Sequence, residues 1–359
     1  MPGPRIVVEE LSALPGNLSG NVLALAVRAT HHDGVRPLSE QTVLQAQRLP
    51  EDHDRSPSGV HLLVVRFDPR SGGTPLEPGP GESPVVLGYG YVDLGDPESP
   101  SAELVIDPEH RRQGLGGALL DHVLQRWPHA RLWSHGDLQD ARRLYTSRQL
   151  SVVRELWQMS RPLTGEWSDL PEHVELPEGF AVRPFQVGTD EGTWLGVNAR
   201  AFADHAEQGR MTEADLADRQ REPWFDPHGF LIIEDTTAPE PDGRPRIAAF
   251  HWTKVEPEDP STGEVYVVGV DPDYQGRGLG KAATLLGLHH LRARGVRTAT
   301  LFVDGDNPAA IATYHRLGFE RSAVDVMYAA GTSERTGAEG AEGAEGADGV
   351  TNTTEAMEG

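Results

Sequence analysis

Two short stretches of the chain could hold an anion: residues 111–116 read RRQGLG, and residues 275–280 read QGRGLG. Each follows an apolar run that ends in Asp-Pro. A glycine-rich turn that opens a helix leaves backbone N–H groups unpaired at the helix N-terminus. There, with the helix dipole, they favour a phosphate or pyrophosphate. Glycine lets the backbone approach such a ligand closely, and Arg111, Arg112, Arg277 and Lys281 would add charge. Neither turn is a nucleotide-hydrolase P-loop, since Lys281 is followed by Ala282 rather than Ser or Thr. Neither sits after the first strand of a parallel unit, as a dinucleotide fingerprint does. Taken alone, each turn fits an ordinary strand-to-helix connection as well as an anion site.

The elements that would position these turns recur in one order. In the first half, strands are expected over 61–67, 84–94 and AELVIDP. The turn follows, then a helix over 114–126, the strand ARLWS and a helix from DLQDARRLYTSRQL. The Pro/Gly-rich segment DPRSGGTPLEPGPGESP reads as a long hairpin loop. In the second half, strands are expected over 229–235, 246–255 and 263–272, then a helix over 278–294. The strand RTATLFVD, the helix NPAAIATYHRLG ended by Gly318, and a final strand RSAVDVMYA complete it. One constant offset sets Arg111 against Gln275 and Gly116 against Gly280, which points to an internal duplication.

A chain of 359 residues is long enough for two domains. The expected division is a first domain at 1–160, a proline-rich linker at 161–179 and a second domain at 180–330. From Gly331 the chain turns repetitive, acidic and free of aromatic residues. Such a composition cannot bury enough apolar surface to offset ordering, so 331–359 is expected to be disordered. The net charge of −23 argues against a nucleic-acid binder. The lack of cysteine excludes disulfides, thiolate metal sites and a cysteine nucleophile, and it suits a reducing cytoplasm. MPGPRIVVEE carries no apolar signal core and no apolar run approaches membrane-spanning length. A soluble cytoplasmic monomer without metal is therefore expected.

The spacing Q/R-x-x-G-x-G/A occurs twice after an Asp-Pro strand, each time before a strand and a tyrosine-bearing helix (Tyr145, Tyr314). This arrangement resembles the GCN5-related N-acetyltransferase superfamily over nearly all of residues 5–328. The resemblance implies an α/β (α+β) fold of two tandem domains, each a mixed, mostly antiparallel sheet flanked by helices. It also implies acetyl-CoA as cosubstrate, with its pyrophosphate on the turn and its pantetheine arm in a gap opened by a bulge in the preceding strand. Carried over by position, the coenzyme residues of the first half would be Leu104, Val105, Ile106, Arg112, Gln113, Gly114, Leu115, Gly116 and Gly117. Those of the second would be Val268, Gly269, Val270, Gln275, Gly276, Arg277, Gly278, Leu279, Gly280 and Lys281. Asn307, Pro308, Ala309, Ala310, Ile311 and Ala312 join them from the later helix. Gly269 is the residue whose backbone freedom suits the bulge.

Acetyl transfer to an amine needs a neutral amine, a stabilised oxyanion and a proton for the departing thiolate. An α-amine has a pKa near ~8, so a base must remove its proton. Glu264, at the start of its strand, is the candidate base, and a backbone N–H near Val268–Val270 the oxyanion donor. Tyr314 is the general acid that the resemblance implies. Without that context, Glu264 reads as a solvated strand end and Tyr314 as a core residue. In the first half the same offset sets Pro100 against Glu264, and aligning Tyr145 with Tyr314 sets Leu138 against Asn307. That copy is expected to bind acetyl-CoA without turnover, with nearby Glu103 the carboxylate that could stand in.

The stretches VNARAFADHAEQGRMT (197–212) and FHWTKV (250–255) narrow the resemblance to an actinobacterial branch of tandem acetyltransferases. That branch acetylates the cysteinyl amine of an aminoglycoside-like cysteine–glucosamine–inositol conjugate. It makes Glu40, Glu207, Lys254 and Glu264 substrate-binding candidates. Another small amine, a protein N-terminus, or a non-catalytic acetyl-CoA sensor are the alternatives.

Overall fold

The computed structural model describes residues 5–48, 59–67, 74–76, 85–165, 168–203, 206–239 and 243–331. Most of the expected hairpin loop at 68–84 and the acidic tail beyond Gly331 lie outside the described residues.

The first half runs β1 (Arg5–Leu11), α1 (Gly16–Asp33), α2 (Glu40–Gln47), β2 (Gly59–Phe67), β3 (Val85–Asp93), β4 (Ser101–Ile106), α3 (Leu115–Arg126), β5 (Arg131–Ser134), α4 (Gln139–Thr146) and β6 (Leu150–Pro162). The second runs β7 (Phe180–Pro184), α5 (Glu191–Ala201), α6 (Ala206–Gly209), α7 (Glu213–Gln220), β8 (Phe230–Pro239) and β9 (Pro245–Lys254). It continues with β10 (Thr262–Val270), α8 (Leu279–Ala293), β11 (Thr298–Asp304), α9 (Pro308–Arg316) and β12 (Glu320–Ala330). Interior strands such as β2 and β9 read as nearly unbroken apolar runs because helices cover both faces. In α1 the buried residues Leu18, Val22, Leu25 and Ala29 fall on one stripe at helical spacing. Over β9, α8 comes close enough that a Cβ at Gly287 would collide with the buried His251 ring.

Among the described residues, twelve strands form one sheet, in the order β1-β2-β3-β4-β5-β12-β6-β11-β10-β9-β8-β7. The two halves exchange their last strands. β6 pairs with β11 from Leu156↔Asp304 to Pro162↔Thr298, and β12 pairs with β5 from Ser134↔Val326 to Leu132↔Tyr328. The two exchanged strands are antiparallel neighbours at the centre. Their side chains are buried accordingly: Val326 and Tyr328 among Leu119, Leu120 and Leu132, and Met159, with Leu163 just past the end of β6, among Leu288, Leu291 and Leu301. No strand is expected from the sequence after α4; the exchange is decided by the tertiary structure.

The expected bulge at Gly269 requires correction. Gly269 stands in regular register opposite Phe250, whereas the register of β10 against β9 shifts between Val265 and Val267. Tyr266 is the extra residue. Gly269 is there for space: the Phe250 ring lies 2.6 Å from where a Cβ would be. In the first half, β4 pairs with β3 without a shift. The N–H of Asp107 donates to Leu87 and that of Asp271 to Ala248, which fixes the equivalence of the two strands at their ends. Counting back across the bulge, Glu264 opposite Lys254 corresponds to Ser101 opposite Asp93. The constant offset that set Pro100 against Glu264 is therefore wrong by the one inserted residue.

Among the described residues no helix is long and apolar enough to cross a membrane.

Candidate active site

In the second half, β10 and β11 run parallel and paired only from Thr262↔Thr298 to Val265↔Leu301. Beyond that point β10 stays with β9 and β11 stays with β6, so a wedge opens between them. Alternation along an antiparallel ladder turns the backbone of Val267 and Gly269 toward β9 and that of Val268 and Val270 into the wedge. Among the described residues their N–H and C=O groups meet no partner strand on that side and line the wedge.

The wedge ends at the glycine turn. Gly276 and Gly278 lie in the left-handed region, at φ 76° and 79°, and nothing stands within 4 Å of where their Cβ atoms would be. No side chain caps α8, and its first turn holds no acidic residue. Leu279 is buried and anchors the turn, while Gln275, Arg277 and Lys281 are exposed. At Gly280 a Cβ would sit 3.4 Å from Val270, so this glycine keeps the helix start close to the strand. Among the described residues Arg277 and Lys281 make no ion pair, and the Arg277 guanidinium rests 5.0 Å over the Tyr274 ring. The residues present fit a long anionic coenzyme: free N–H groups for phosphate, and an unpaired strand edge for an amide-bearing arm.

Across the wedge, Asn307 caps α9 by accepting the Ala310 N–H at 3.0 Å. Pro308, Ala309 and Ala312 are exposed on the first turns of α9, with Ala310 and Ile311 half-buried. Tyr314 and Val268 pack against the same apolar cluster of Leu301, Val303, Leu317 and Phe319. Burial pushes the Tyr314 phenol up to about 12, and its hydroxyl has no hydrogen-bond partner among the described residues.

At the open side of the same strand a dense polar cluster forms. Lys254 and Glu264 are cross-strand partners on β9 and β10. Glu40, the first residue of α2 in the other half, reaches across: one carboxylate oxygen accepts from Lys254 Nζ at 2.5 Å and the other from the Tyr266 hydroxyl at 2.5 Å. Arg219 of α7 donates to the Tyr266 oxygen at 2.6 Å and to Gln41 at 2.9 Å. Lys254 also lies 3.0 Å from Glu256 and 4.8 Å over the Trp224 ring. Burial pushes Glu264 up to about 7; Lys254 works against that rise, and Glu40 and Glu256 add to it. Lys254 is held above its usual range because Glu40, Glu264 and Glu256 outweigh its own burial.

Glu40, Lys254 and Glu264 thus come together, from two halves of the chain. Glu207 belongs to α6, and its side chain lies outside what the structure describes. Tyr266, Arg219, Trp224 and Glu256 were missed in the sequence. Tyr266 stands two residues from Glu264, so strand periodicity could have found it; Arg219 carried no local signal.

The first half repeats the turn with other contents. Gly114 adopts φ 85° before an uncapped α3, and Leu115 is buried like Leu279. Arg112, however, stands where Gly276 does and holds φ 63° with a side chain. Arg111 is bound to Asp33 by two 2.7 Å contacts, and Arg112 to Asp140 at 3.2 Å. Leu104, Val105 and Ile106 follow the short parallel pairing of β4 with β5, which ends at Glu103↔Trp133, and Gly116 and Gly117 open α3 beside Leu144 and Arg148. Gln113 is exposed. Tyr145 is buried, its hydroxyl donating to the Trp133 carbonyl at 3.3 Å. Glu103 is buried between His135 and the Ser39 N–H, which hold its carboxyl below the usual range despite burial. Among the described residues no group of three or more His, Asp or Glu side chains stands together as a metal site would.

Comparison with known proteins agrees with this geometry. Residues 199–319 match the acetyltransferase (GNAT) family, and residues 81–148 match an acetyltransferase (GNAT) domain. A mycothiol acetyltransferase of Kytococcus sedentarius is 51% identical over 85% of this chain and 91% of its own length. One from Streptomyces coelicolor is 45% identical over 92% and 97%. Among solved structures, a tandem GNAT protein from the clavulanic acid biosynthesis pathway superposes with a TM-score of 0.61 at 17% identity, covering 92% of this chain and 100% of that one. A GCN5-related N-acetyltransferase from Sphaerobacter thermophilus gives 0.56 at 21%, covering 90% and 94%. These two likenesses establish the fold alone, two tandem GNAT units. The identity and coverage of the relatives establish more: the chain belongs to the mycothiol acetyltransferases, acyltransferases of the GNAT family.

Proposed function

We propose that the chain transfers an acetyl group from acetyl-CoA to the cysteinyl α-amine of a cysteine–glucosamine–inositol conjugate, giving mycothiol, and that only the second half carries the reaction. The observation that supports this best is the convergence of Glu40, Lys254 and Glu264 beside the opened edge of β10. The acceptor is a polyol with one amine. It calls for carboxylates and donors rather than an apolar slot, and Glu40, Glu256 and Lys254 supply both.

The coenzyme, when bound, supplies the acetyl thioester. Gln275, Gly276, Arg277, Gly278, Leu279, Gly280 and Lys281 hold its phosphates, and the first turn of α9 from Asn307 to Ala312 flanks its arm. Glu264, with a carboxyl near 7, is matched to an α-ammonium of pKa near ~8 and takes its proton directly or through a water. The N–H groups of Val268 and Val270 are the donors available to a developing oxyanion. Tyr314 keeps its phenolic proton at neutral pH and holds it for the departing sulfur. Glu207 is the remaining substrate-binding candidate, for the sugar hydroxyls or the ammonium. The first half is read as non-catalytic because Ser101 and Asp93 stand where Glu264 and Lys254 would be, and Glu103 is tied to His135 and Ser39.

The test is release of CoA with the cysteinyl–glucosaminyl–inositol acceptor. Glu264→Gln is expected to lower kcat by a factor of about 10²–10⁴ with little change in the KM for acetyl-CoA. Parental kcat in that variant would remove Glu264 as base. Activity on a different amine and none on this acceptor would replace the substrate.

A further inference from the structure

We propose that Glu103, a buried carboxylate of the first half, is a positioning residue for the acceptor site of the second, acting through the start of α2 on Glu40. The proposal rests on the substrate-binding role given to Glu40 above.

Glu103 lies on β4 and is 6% exposed. One of its oxygens accepts the Ser39 backbone N–H at 2.8 Å. The other stands 3.4 Å from His135 Nε2, an ion-pair contact rather than an aligned hydrogen bond. The far nitrogen of His135 meets Asp325 of β12 at 3.0 Å, and the second oxygen of Asp325 accepts the Gly136 N–H at 2.7 Å. Glu103 is therefore held from behind by a fixed imidazolium and itself holds Ser39.

Ser39 is the N-cap of α2, and Glu40 is the next residue. The contact thus fixes the peptide from which Glu40 projects to Lys254 and Tyr266. The other end of α2 is held by Arg48, which donates to Asp218 of α7 at 2.9 Å. Between them Gln41 meets Arg219. A helix of eight residues pinned at both ends presents Glu40 in one place, and a negative charge at its N-terminus suits the helix dipole. A carboxylate–imidazolium–carboxylate set is a costly way to fill a core, since apolar residues would serve packing as well or better. What it gives that packing does not is a directed acceptor for the Ser39 N–H.

A purely structural role and a positioning role separate in steady-state kinetics. Glu103→Leu deletes the acceptor, whereas Glu103→Gln keeps an oxygen that can take the Ser39 N–H while losing the charge. The expected outcome is an acceptor KM raised about tenfold in Glu103→Leu, as the loss of one charge-assisted hydrogen bond predicts. The KM for acetyl-CoA should stay within about twofold in that variant, and Glu103→Gln should restore most of the acceptor KM. In a Glu40→Gln background Glu103→Leu should add nothing further, because both act on one group. If Glu103→Leu does not fold, Ser39→Pro replaces it, deleting the donated N–H at a φ of −65° that proline adopts, with the same split expected.

Equal rises in both KM values, or an undiminished effect in the Glu40→Gln background, would overturn the proposal. So would Gln and Leu variants that lose activity only in step with melting temperature. A Glu40→Gln enzyme with parental acceptor KM overturns the role of Glu40 and this proposal with it. A raised KM there with none in Glu103→Leu overturns this proposal alone.

Discussion

Glu264 is half-buried at the edge of a cluster with more carboxylates than cations, and that balance decides its titration. Burial raises its carboxyl, Lys254 opposes, and Glu40 and Glu256 reinforce, for a value of about 7. A base must be ionised to act, so kcat/KM for the acceptor should rise with pH through a midpoint near 7. Lys254→Met removes the group that lowers this carboxyl, so the rising limb should move to higher pH; an unmoved limb in a pH–rate series would count against Glu264 as base. The same shift has a stability sign. With the folded value above the unfolded one, the contribution of the protonated group is complete below about 4.5 and lost as pH rises through about 7. Glu264→Gln should therefore gain in melting temperature relative to the parent more at pH 8 than at pH 5. Glu264 was legible as a carboxylate at the start of its strand, and Lys254 only through the family resemblance. Arg219 was not, because only the packing of α7 on the bulge brings it to Tyr266.

At the level of elements, the duplication is clearest in what anchors each turn. Arg28 of α1 holds Asp107 of the first Asp-Pro, and Arg200 of α5 holds Asp271 of the second. These partners lie far from the motifs in sequence, and no spacing announces them. The two copies then diverge in backbone: Gly276 takes a left-handed conformation at no cost, while Arg112 takes it with a side chain, a mildly strained choice. The largely enclosed His135 set ties the end of β5 to β4 and β12. Asp325 and Glu103 hold its imidazole at about 10 against the burial that would lower it. That stabilisation is complete below about 6.5 and fades as pH rises through about 10. His135→Gln leaves the buried Glu103 and the half-buried Asp325 without the cation between them. It should cost about 3–5 kcal/mol near neutral pH in denaturant unfolding, with the difference shrinking toward pH 10; a pH-independent loss would indicate packing instead.

For the whole molecule, the exchanged strands change what a domain means here. A cut between β6 and β7 divides the sequence into repeats, but β6 remains inserted between β11 and β12, and β12 beside β5. Each half expressed alone would lack a strand in its sheet and expose the apolar residues that strand covers, such as Leu132 or Leu301. Residues 1–160 and 180–330 made separately should aggregate or remain partly unfolded by circular dichroism, whereas the two co-expressed should co-elute as one species in size exclusion. Soluble, cooperatively melting separate halves would show that the exchange is dispensable. The active-site cluster also depends on this union, since Glu40 comes from one half and Lys254, Glu264 and Tyr266 from the other.

By itself the sequence determined the repeat, the two glycine turns, the strand that ends in Asp-Pro and the charged residues at its start. All of these follow from local spacing, which needs only backbone periodicity and the conformational freedom of glycine. The tertiary structure alone decided that Tyr266 rather than Gly269 is the bulged residue, and that Ser101 rather than Pro100 answers to Glu264. It also decided that Glu103 is bound to Ser39 rather than free, and that the last strands cross over. Register and strand exchange are set by which distant apolar faces bury each other, and that choice is made by packing across the sheet rather than by neighbours along the chain.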